Sequence, residues 1–328
     1  MEKLKKIASI IVINIIILFS LLSILEFTCL IMKVNAAFSS MLNERQTTFK
    51  INNAKQLSVD YLRILKIYVQ NCYLNANKEN YIKIEDFRKP SIGSQYKNKN
   101  IVLAGCSFTY GDSLADEDTF SAELAKYAQK YKVYNIGICG SSPKEILYML
   151  RNYEKYSKQN ILPENTKDTK YFIYTYIYDH ERRLVLDISD KKTPIFKTVK
   201  DENGNEHLEY IKPHHNIFEI SFLVQYFRDK TYNEEHSDVM ELYVKEIKRE
   251  VEKIFPNAEF VMFVYEKPAC IHSYIKDIEK SGIKVVNIND LSDINFFAEE
   301  YQISDRTHPS EKAWKTIVPL LSERIGIK

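Results

Sequence analysis

Residues 101–114 read IVLAGCSFTYGDSL and join a short apolar run to two closely spaced serines. The run IVLA (101–104) is typical of a strand that is buried on both faces, and Gly105 follows it directly. In open parallel sheets, the loops at the carboxyl ends of the strands form the ligand crevice. Ser107 and Ser113 both follow this strand, so each serine is a candidate nucleophile.

The rest of the chain alternates strand-like and helix-like segments. After IVLA, the predicted strands are VYNIG (133–137), KYFIYTYIY (170–178), EFVMFVY (259–265) and IKVVNI (283–288). The predicted helices lie near residues 119–131, 143–156, 237–255, 272–280 and 310–324. This alternation predicts an α/β fold in which helices cover both faces of a parallel sheet, a three-layer α/β/α sandwich.

Residues 181–235 interrupt that alternation. Two strand-like arms flank Asn203 and Gly204 within this segment, and this dipeptide is a strong hairpin signal. We interpret the segment as an insertion near the strand ends. It is either a lid or substrate wall, or a purely structural flap.

The N-terminal segment carries a membrane signal. An apolar run extends from Ile7 to Leu25 and continues less purely to Met32, which is long enough to cross a bilayer. A cleavable signal peptide is the alternative, because VNA (34–36) resembles a cleavage site. The apolar core of a signal peptide spans only about 7–15 residues, however, so we predict an uncleaved transmembrane helix through residues 7–32.

The charges around this span predict its orientation and the domain organisation. Three lysines precede the span and few basic residues follow it closely, so the N-terminus is predicted to be cytoplasmic and the main domain extracytoplasmic, at the cell membrane. We divide the chain into a cytoplasmic tip and anchor (1–33), a stalk or linker (34–97) and a folded domain (98–328).

Composition excludes several classes of function. The 328 residues have a formal net charge of only +2, and no Lys/Arg tract stands out, so nucleic acid is not a predicted partner. The five cysteines form no metal-ligand spacing, and no metal or organic cofactor is predicted. A disulfide between Cys106 and Cys139 is compatible with an extracytoplasmic domain, and buried free thiols are the alternative. The histidines of the insertion are interpreted as solvent-exposed: His207, His214 and His215.

A short C-terminal segment, SDRTHPSEKAW (304–314), supplies the partners that a serine nucleophile needs. A histidine takes the proton from the serine, and a carboxylate holds the imidazole in the correct tautomer. Asp305 lies three residues before His308, so on a tight turn the carboxylate can reach the ring. Pro309 then stands where the last predicted helix begins, a position that proline tolerates.

Three blocks together resemble the SGNH hydrolase family, also called GDSL esterases and lipases. The blocks are GCSFTYG (105–111), NIGICGSS (135–142) and DRTHPS (305–310), and the resemblance spans about residues 98–328. It implies a flavodoxin-like SGNH hydrolase fold with Ser107 as nucleophile, so the GDSL string around Ser113 is a coincidence. It also implies His308 as the general base and Asp305 as its orienting partner.

The resemblance also implies where a tetrahedral oxyanion is stabilised. Asn135, Gly137 and Gly140 match the second block of the family, whose second glycine contributes its backbone amide beside that of the nucleophile. The oxyanion hole is therefore predicted at the amides of Ser107 and Gly140.

One block of the family is missing. The third block, Gly-x-Asn-Asp, supplies an asparagine donor, but here the corresponding place reads YIYDHERR (176–183). Tyr178 or His180 is the predicted substitute donor. The alternative interpretation of this segment is a structural ion pair between Asp179 and Arg182.

These observations predict a serine esterase that removes or transfers O-acyl groups, with acetyl the expected group, on extracytoplasmic carbohydrate or glycolipid. An O-acetyltransferase of envelope polysaccharide is one alternative, since it would form the same acyl-serine. A non-catalytic glycan-binding envelope protein is the other, and the altered third block favours it slightly.

Overall fold

The computed structural model describes residues 87–186, 194–211, 237–268 and 274–327, together with residue 82 and five positions between 20 and 28. From residue 82 onward, these residues belong to one compact unit. Among the residues described, none of the helices combines the length and the apolar character that a membrane crossing requires. The predicted anchor (7–32) lies almost entirely outside the described residues.

A six-stranded sheet forms the centre of this unit. The strands in chain order are β1 (Ser91–Ile92), β2 (Lys99–Ala104), β3 (Tyr131–Asn135), β4 (Thr169–Tyr176), β5 (Ile195–Lys200), β6 (Glu206–Ile211), β7 (Glu259–Val264) and β8 (Lys284–Asn287). The sheet order is β1-β3-β2-β4-β7-β8, and all neighbours are parallel except β1 and β3. The five parallel strands follow the flavodoxin-like order, as predicted.

Helices cover both faces of the sheet. They are α1 (Ser107–Tyr110), α2 (Phe120–Tyr127), α3 (Pro143–Arg151), α4 (Tyr153–Ser157), α5 (Asp179–Leu186), α6 (Ser237–Ile254), α7 (Tyr274–Lys280) and α8 (Glu311–Ile325). The buried residues form two clusters, one with α3, α6 and α7 and the other with α2 and α8. Alternate residues of β2 enter different clusters, Val102 the first and Ile101 the second, which confirms the three-layer sandwich.

The insertion contains the predicted hairpin. Strands β5 and β6 pair antiparallel, and the Asp201 carboxylate accepts hydrogen bonds from the Asn203 and Asn205 amides at 2.8 and 2.9 Å. Leu208 of β6 is buried in the cluster with α3 and α6. The guanidinium of Arg151, at the end of α3, donates to the Leu208 carbonyl at 2.6 Å. The hairpin is thus fixed to the helical layer, while residues 187–193 and 212–236 lie outside the described part.

Residues 87–97, which the sequence placed in the stalk, contribute to this unit. Strand β1 pairs with β3, and Arg88 donates to three carbonyl oxygens of the loop around α1. Those acceptors belong to Tyr110, Gly111 and Leu114, at 2.8, 2.8 and 2.9 Å. The loop after β2 is therefore held in place by a residue that precedes β2.

The packing of α8 against α2 gives a stability prediction. Trp314 has no exposed surface, and its ring stacks on Phe120 with centroids 4.4 Å apart and planes inclined by 5°. We expect Trp314→Ala to lower the free energy of unfolding by about 3–5 kcal/mol, because it leaves a large cavity between the two helices. Denaturant unfolding followed by circular dichroism measures this change. The exposed neighbour Lys315→Ala is the control, and a similar, small effect of both substitutions would contradict the packing described.

Candidate active site

Ser107 lies where a doubly wound sheet binds its ligands. It is the first residue of α1 and comes shortly after β2. Strands β3 and β4 lie next to β2 in the sheet, one on each side of it. The strand order therefore reverses at β2, and the crevice of such a sheet opens at the carboxyl ends of the strands on either side of that point. Ser113, by contrast, is exposed in the following turn with a φ of 62°.

The structure brings His308 to Ser107. The imidazole Nε2 lies 2.7 Å from the Ser107 hydroxyl, and Nδ1 makes a short hydrogen bond with Oδ2 of Asp305. The ring of Phe108 packs against the imidazole, with centroids 4.8 Å apart. With Nδ1 protonated, His308 donates to Asp305, and its Nε2 accepts from the serine hydroxyl. This is the arrangement of a nucleophile, a general base and an orienting carboxylate.

A tight turn aligns Asp305 with His308. The second carboxylate oxygen of Asp305 accepts hydrogen bonds from the amides of Thr307 and His308, at 2.8 and 3.0 Å. Arg306 between them has a φ of 59°. The amide of Ile303 donates to the His308 carbonyl at 3.0 Å and closes the turn. The three-residue spacing read from the sequence thus forms the turn expected of it.

The same turn favours the ionised form of Asp305. Partial burial acts to raise the pKa of the Asp305 carboxyl, but the hydrogen bonds from the His308 and Thr307 amides and from the His308 ring outweigh it. The net result is a pKa below the ordinary aspartate value. Asp305 is therefore a carboxylate at neutral pH and can stabilise a positive charge on His308.

Asn135 joins the nucleophile loop to the loop after β3. Its side-chain amide donates to the Thr109 carbonyl at 2.8 Å, and its side-chain oxygen accepts from the Gly137 amide at 3.0 Å. The hydroxyl of Ser141 adds a further link by donating to the Gly105 carbonyl at 2.9 Å. Both loops are therefore held at a fixed separation by buried hydrogen bonds.

Gly137 permits the close approach of these loops. A Cβ at this position would lie 2.5 Å from the Tyr110 amide nitrogen and 3.0 Å from the Cys106 carbonyl oxygen. Both atoms belong to the backbone around α1, so an added methyl group would have to displace the segment that carries Ser107.

Gly140 lies in a more open position. It is exposed, its φ is 77°, and nothing lies within 4 Å of a Cβ built there. Its amide belongs to the loop that Asn135 holds against the nucleophile, which is compatible with the predicted oxyanion role. That role stays a prediction, as does the contribution of the Ser107 amide.

The contrast between these glycines predicts a change in activity. We expect Gly137→Ala to lower kcat/KM by about 10²-fold, since a displacement of about 1 Å at a reacting group costs that much. Gly204→Ala is the control, because nothing lies within 4 Å of a Cβ built on this hairpin glycine, although its φ of 82° is a positive value that Gly137 does not share. Ester hydrolysis by the two purified variants measures the difference. Equal activities would show that the close approach at Gly137 does not position Ser107.

The segment after β4 departs from one expectation. His180 has no exposed surface, its Nδ1 lies 2.7 Å from the Tyr174 hydroxyl, and its ring stacks on that of Tyr174. Burial, with the nearby charge of Arg183, holds the pKa of His180 well below its usual value. A donor to a substrate oxyanion must be reachable from the crevice, so the prediction of His180 as that donor is wrong.

Tyr178 stays the predicted donor of this segment. It is half-buried at the carboxyl end of β4, and its amide donates to the Glu266 carboxylate at 2.8 Å. Burial raises the pKa of Glu266 above its ordinary value. Glu266 follows β7, the next strand along, so it holds Tyr178 at the same edge of the sheet as Ser107.

The predicted ion pair of Asp179 is present with a different arginine. Arg183 Nη2 lies 3.6 Å from Asp179 Oδ2. The two residues are four apart on helix α5, which the sequence did not predict, and this spacing places them on one face. The side chain of Arg182 lies outside the described part.

The cysteine and histidine predictions have separate outcomes. Cys106 is buried and Cys139 is exposed, and the two form no disulfide with each other, so the disulfide considered between them is wrong. Among the residues described, no group of three or more His, Cys, Asp and Glu side chains could hold a metal ion. His207 is half-buried on β6 rather than exposed, and His214 and His215 lie outside the described residues.

Comparisons with known proteins give no family assignment. No model of a known protein family matches the chain, and no curated protein matches it either. Among solved structures, the chain is similar to a member of the lipolytic protein G-D-S-L family from Veillonella parvula DSM 2008, with 10% identity over 69% of this chain and 97% of that one, at a TM-score of 0.40.

Two further solved structures have comparable similarity. One is the acetyl xylan esterase Est2A from the rumen bacterium Butyrivibrio proteoclasticus, with 14% identity over 70% of this chain and 64% of that one, at a TM-score of 0.41. The other is the lipase Lip_vut3 from a goat rumen metagenome, with 14% identity over 70% and 98%, at a TM-score of 0.42. Similarity at this level carries no functional assignment, so the case for function rests on the geometry of the site.

Proposed function

We propose that this protein is a serine ester hydrolase of the SGNH type, which cleaves O-acyl esters through an acyl-serine intermediate. The observation that carries the proposal is the line of hydrogen bonds from Ser107 through His308 to Asp305. Residues 201 positions apart in the chain meet here with the spacing that proton transfer requires.

The first half of the reaction forms the acyl-serine. The Ser107 oxygen attacks the ester carbonyl carbon while His308 Nε2 takes the hydroxyl proton, and the carbonyl electron pair moves onto its oxygen. As the tetrahedral intermediate collapses, the bond to the leaving alcohol breaks, and His308 returns the proton to that alcohol. Asp305 stays ionised throughout and stabilises the imidazolium.

The second half of the reaction releases the acyl group. A water molecule, or the hydroxyl of another acceptor, attacks the acyl-serine while His308 again takes the proton and then returns it to Ser107. The oxyanion is stabilised in both halves by the amides of Ser107 and Gly140, with the hydroxyl of Tyr178 as the third donor. No step requires a metal or an organic cofactor.

The substrate part of the proposal is an acyl ester, with acetyl the expected group, on extracytoplasmic carbohydrate or glycolipid. It is supported by the resemblance of the sequence blocks and by the predicted anchor through residues 7–32, which would hold the domain at the cell membrane. Acetyl esters on exposed hydroxyl groups of a carbohydrate need no deep acyl pocket. The partly exposed His308 is compatible with such a substrate.

The test gives the purified full chain three kinds of acyl ester. We expect hydrolysis of p-nitrophenyl acetate, release of acetate from an O-acetylated polysaccharide, and slower turnover of long acyl chains. If added carbohydrate increases the release of p-nitrophenol and itself becomes acetylated, transfer is the preferred second half-reaction. The absence of both hydrolysis and transfer with every acyl ester would contradict the proposal. That result would favour a glycan-binding protein.

A further inference from the structure

Arg183 contacts the loop that carries the predicted oxyanion amide. It lies on α5, in the segment after β4, and its Nη1 donates to the Ser141 carbonyl oxygen at 2.8 Å. Ser141 directly follows Gly140, so this hydrogen bond fixes the backbone next to the Gly140 amide. The side chain is only 17% exposed, which makes the contact partly shielded from water.

The same guanidinium also reaches the nucleophile loop. Burial raises the pKa of the Cys106 thiol, and both the charge of Arg183 and a hydrogen bond from it act in the opposite direction. Cys106 directly precedes Ser107. One planar side chain therefore hydrogen-bonds the residue after Gly140 and lies close enough to act on the residue before the nucleophile.

The surroundings leave positive charge at this place. The Asp179 carboxylate lies 3.6 Å from Arg183 Nη2 and is 41% exposed, so water screens the pair. Its buried neighbours Tyr174 and His180 carry no charge at neutral pH, because burial raises the pKa of the first and lowers that of the second. A guanidinium has five N–H donors and keeps its proton at all relevant pH values.

We propose that Arg183 is a positioning residue of the oxyanion hole, which holds the loops of Ser107 and Gly140 in register and places a positive charge beside the developing oxyanion. This inference rests on the proposed function. When the Ser107 oxygen bonds to the acyl carbon, the carbonyl oxygen gains a negative charge, and the serine proton moves to His308. Arg183 transfers no proton; it stabilises that charge through its field and through the loop that it holds.

The test uses the full chain with three variants and one probe, a fluorophosphonate that labels active serines. The rate of labelling reports on the charged intermediate at Ser107 without requiring the natural substrate. We expect Arg183→Met to lower this rate by about 10²–10³-fold, as for the loss of one oxyanion donor. We expect a parallel loss of kcat for p-nitrophenyl acetate with little change in KM, because the interaction strengthens only in the transition state.

Arg183→Lys separates the effect of the positive charge from that of the hydrogen-bond geometry. It also provides a second variant in case Arg183→Met does not fold. Lysine keeps the positive charge but cannot bond both loops with one planar guanidinium. We therefore expect Arg183→Lys to be labelled about tenfold faster than Arg183→Met, but more slowly than the unsubstituted protein. Arg151→Met is the matched control. Arg151 is 23% exposed, donates to the Leu208 carbonyl and pairs with Glu246, but it lies at the opposite end of α3 from Ser142.

The outcomes distinguish this inference from the proposed function. Arg151→Met is expected to lower the midpoint of thermal unfolding and leave the labelling rate of the folded protein unchanged. If Arg183→Met and Arg183→Lys are labelled as fast as Arg151→Met, the positioning role of Arg183 is overturned and the proposed function stands. If the unsubstituted protein is not labelled at Ser107, both proposals are overturned.

Discussion

Replacing Ser107 with alanine is expected to abolish ester hydrolysis, with a loss of about 10⁴–10⁶-fold in kcat. The substitution removes the atom that forms the acyl intermediate, so the remaining activity is only what binding and the oxyanion donors supply. Because Ser107 is small and its hydroxyl bonds His308 at the crevice rather than in the core, the fold should be retained. Initial rates with p-nitrophenyl acetate and a circular dichroism spectrum measure both effects.

Ser113→Ala is the matched control for that experiment. It deletes a hydroxyl from the same loop, six residues further on, where the side chain is exposed. We expect its kcat to remain within about twofold of the unsubstituted protein, since exposed substitutions away from a site have small effects. Loss of activity in Ser113→Ala with activity retained in Ser107→Ala would assign the nucleophile to the GDSL string instead.

Replacing Asp305 with asparagine is expected to lower kcat by about 10⁴-fold. An asparagine side chain can donate a hydrogen bond to Nδ1, which would leave Nε2 protonated and unable to accept the proton from Ser107. The backbone hydrogen bonds to the other oxygen can still form, so the turn itself should persist. Steady-state kinetics across pH values measure the loss.

Asp293→Asn is the control for Asp305→Asn, since Asp293 is exposed on the approach to the same turn. It removes one negative charge of the same kind without touching His308. Equal kinetics in the two variants would mean that Asp305 does not orient the imidazole, and the role of His308 as general base would then need another carboxylate.

The sequence predicts those parts of the fold that depend on local patterns. An apolar run followed by glycine predicts β2 and the position of Ser107, because a strand buried on both faces reads as a continuous apolar segment. The spacing of Asp305 and His308 predicts the turn, because a short polar side chain can reach the amides two and three residues ahead. The strand order then brings these two local features together.

The contacts that hold the site together depend on tertiary structure, and the sequence did not predict them. Three side chains bond backbone groups between 22 and 88 residues away in the chain: Arg88, Arg183 and Glu266. No spacing pattern in the sequence predicts such pairs. His180 was misassigned for a related reason. Its role depends on the face of α5 that packs against β4, and that helix is only eight residues long and rich in charged residues.

The most direct test of Ser107 as the nucleophile is to identify the residue that reacts with a fluorophosphonate. The full chain is labelled, digested and analysed by peptide mass spectrometry, with His308→Ala as a second sample. We expect a single adduct on Ser107 that is lost or greatly slowed in His308→Ala, because the serine is reactive only when the imidazole takes its proton. An adduct on Ser113, or labelling of Ser107 at the same rate in His308→Ala, would contradict Ser107 as nucleophile and His308 as its general base.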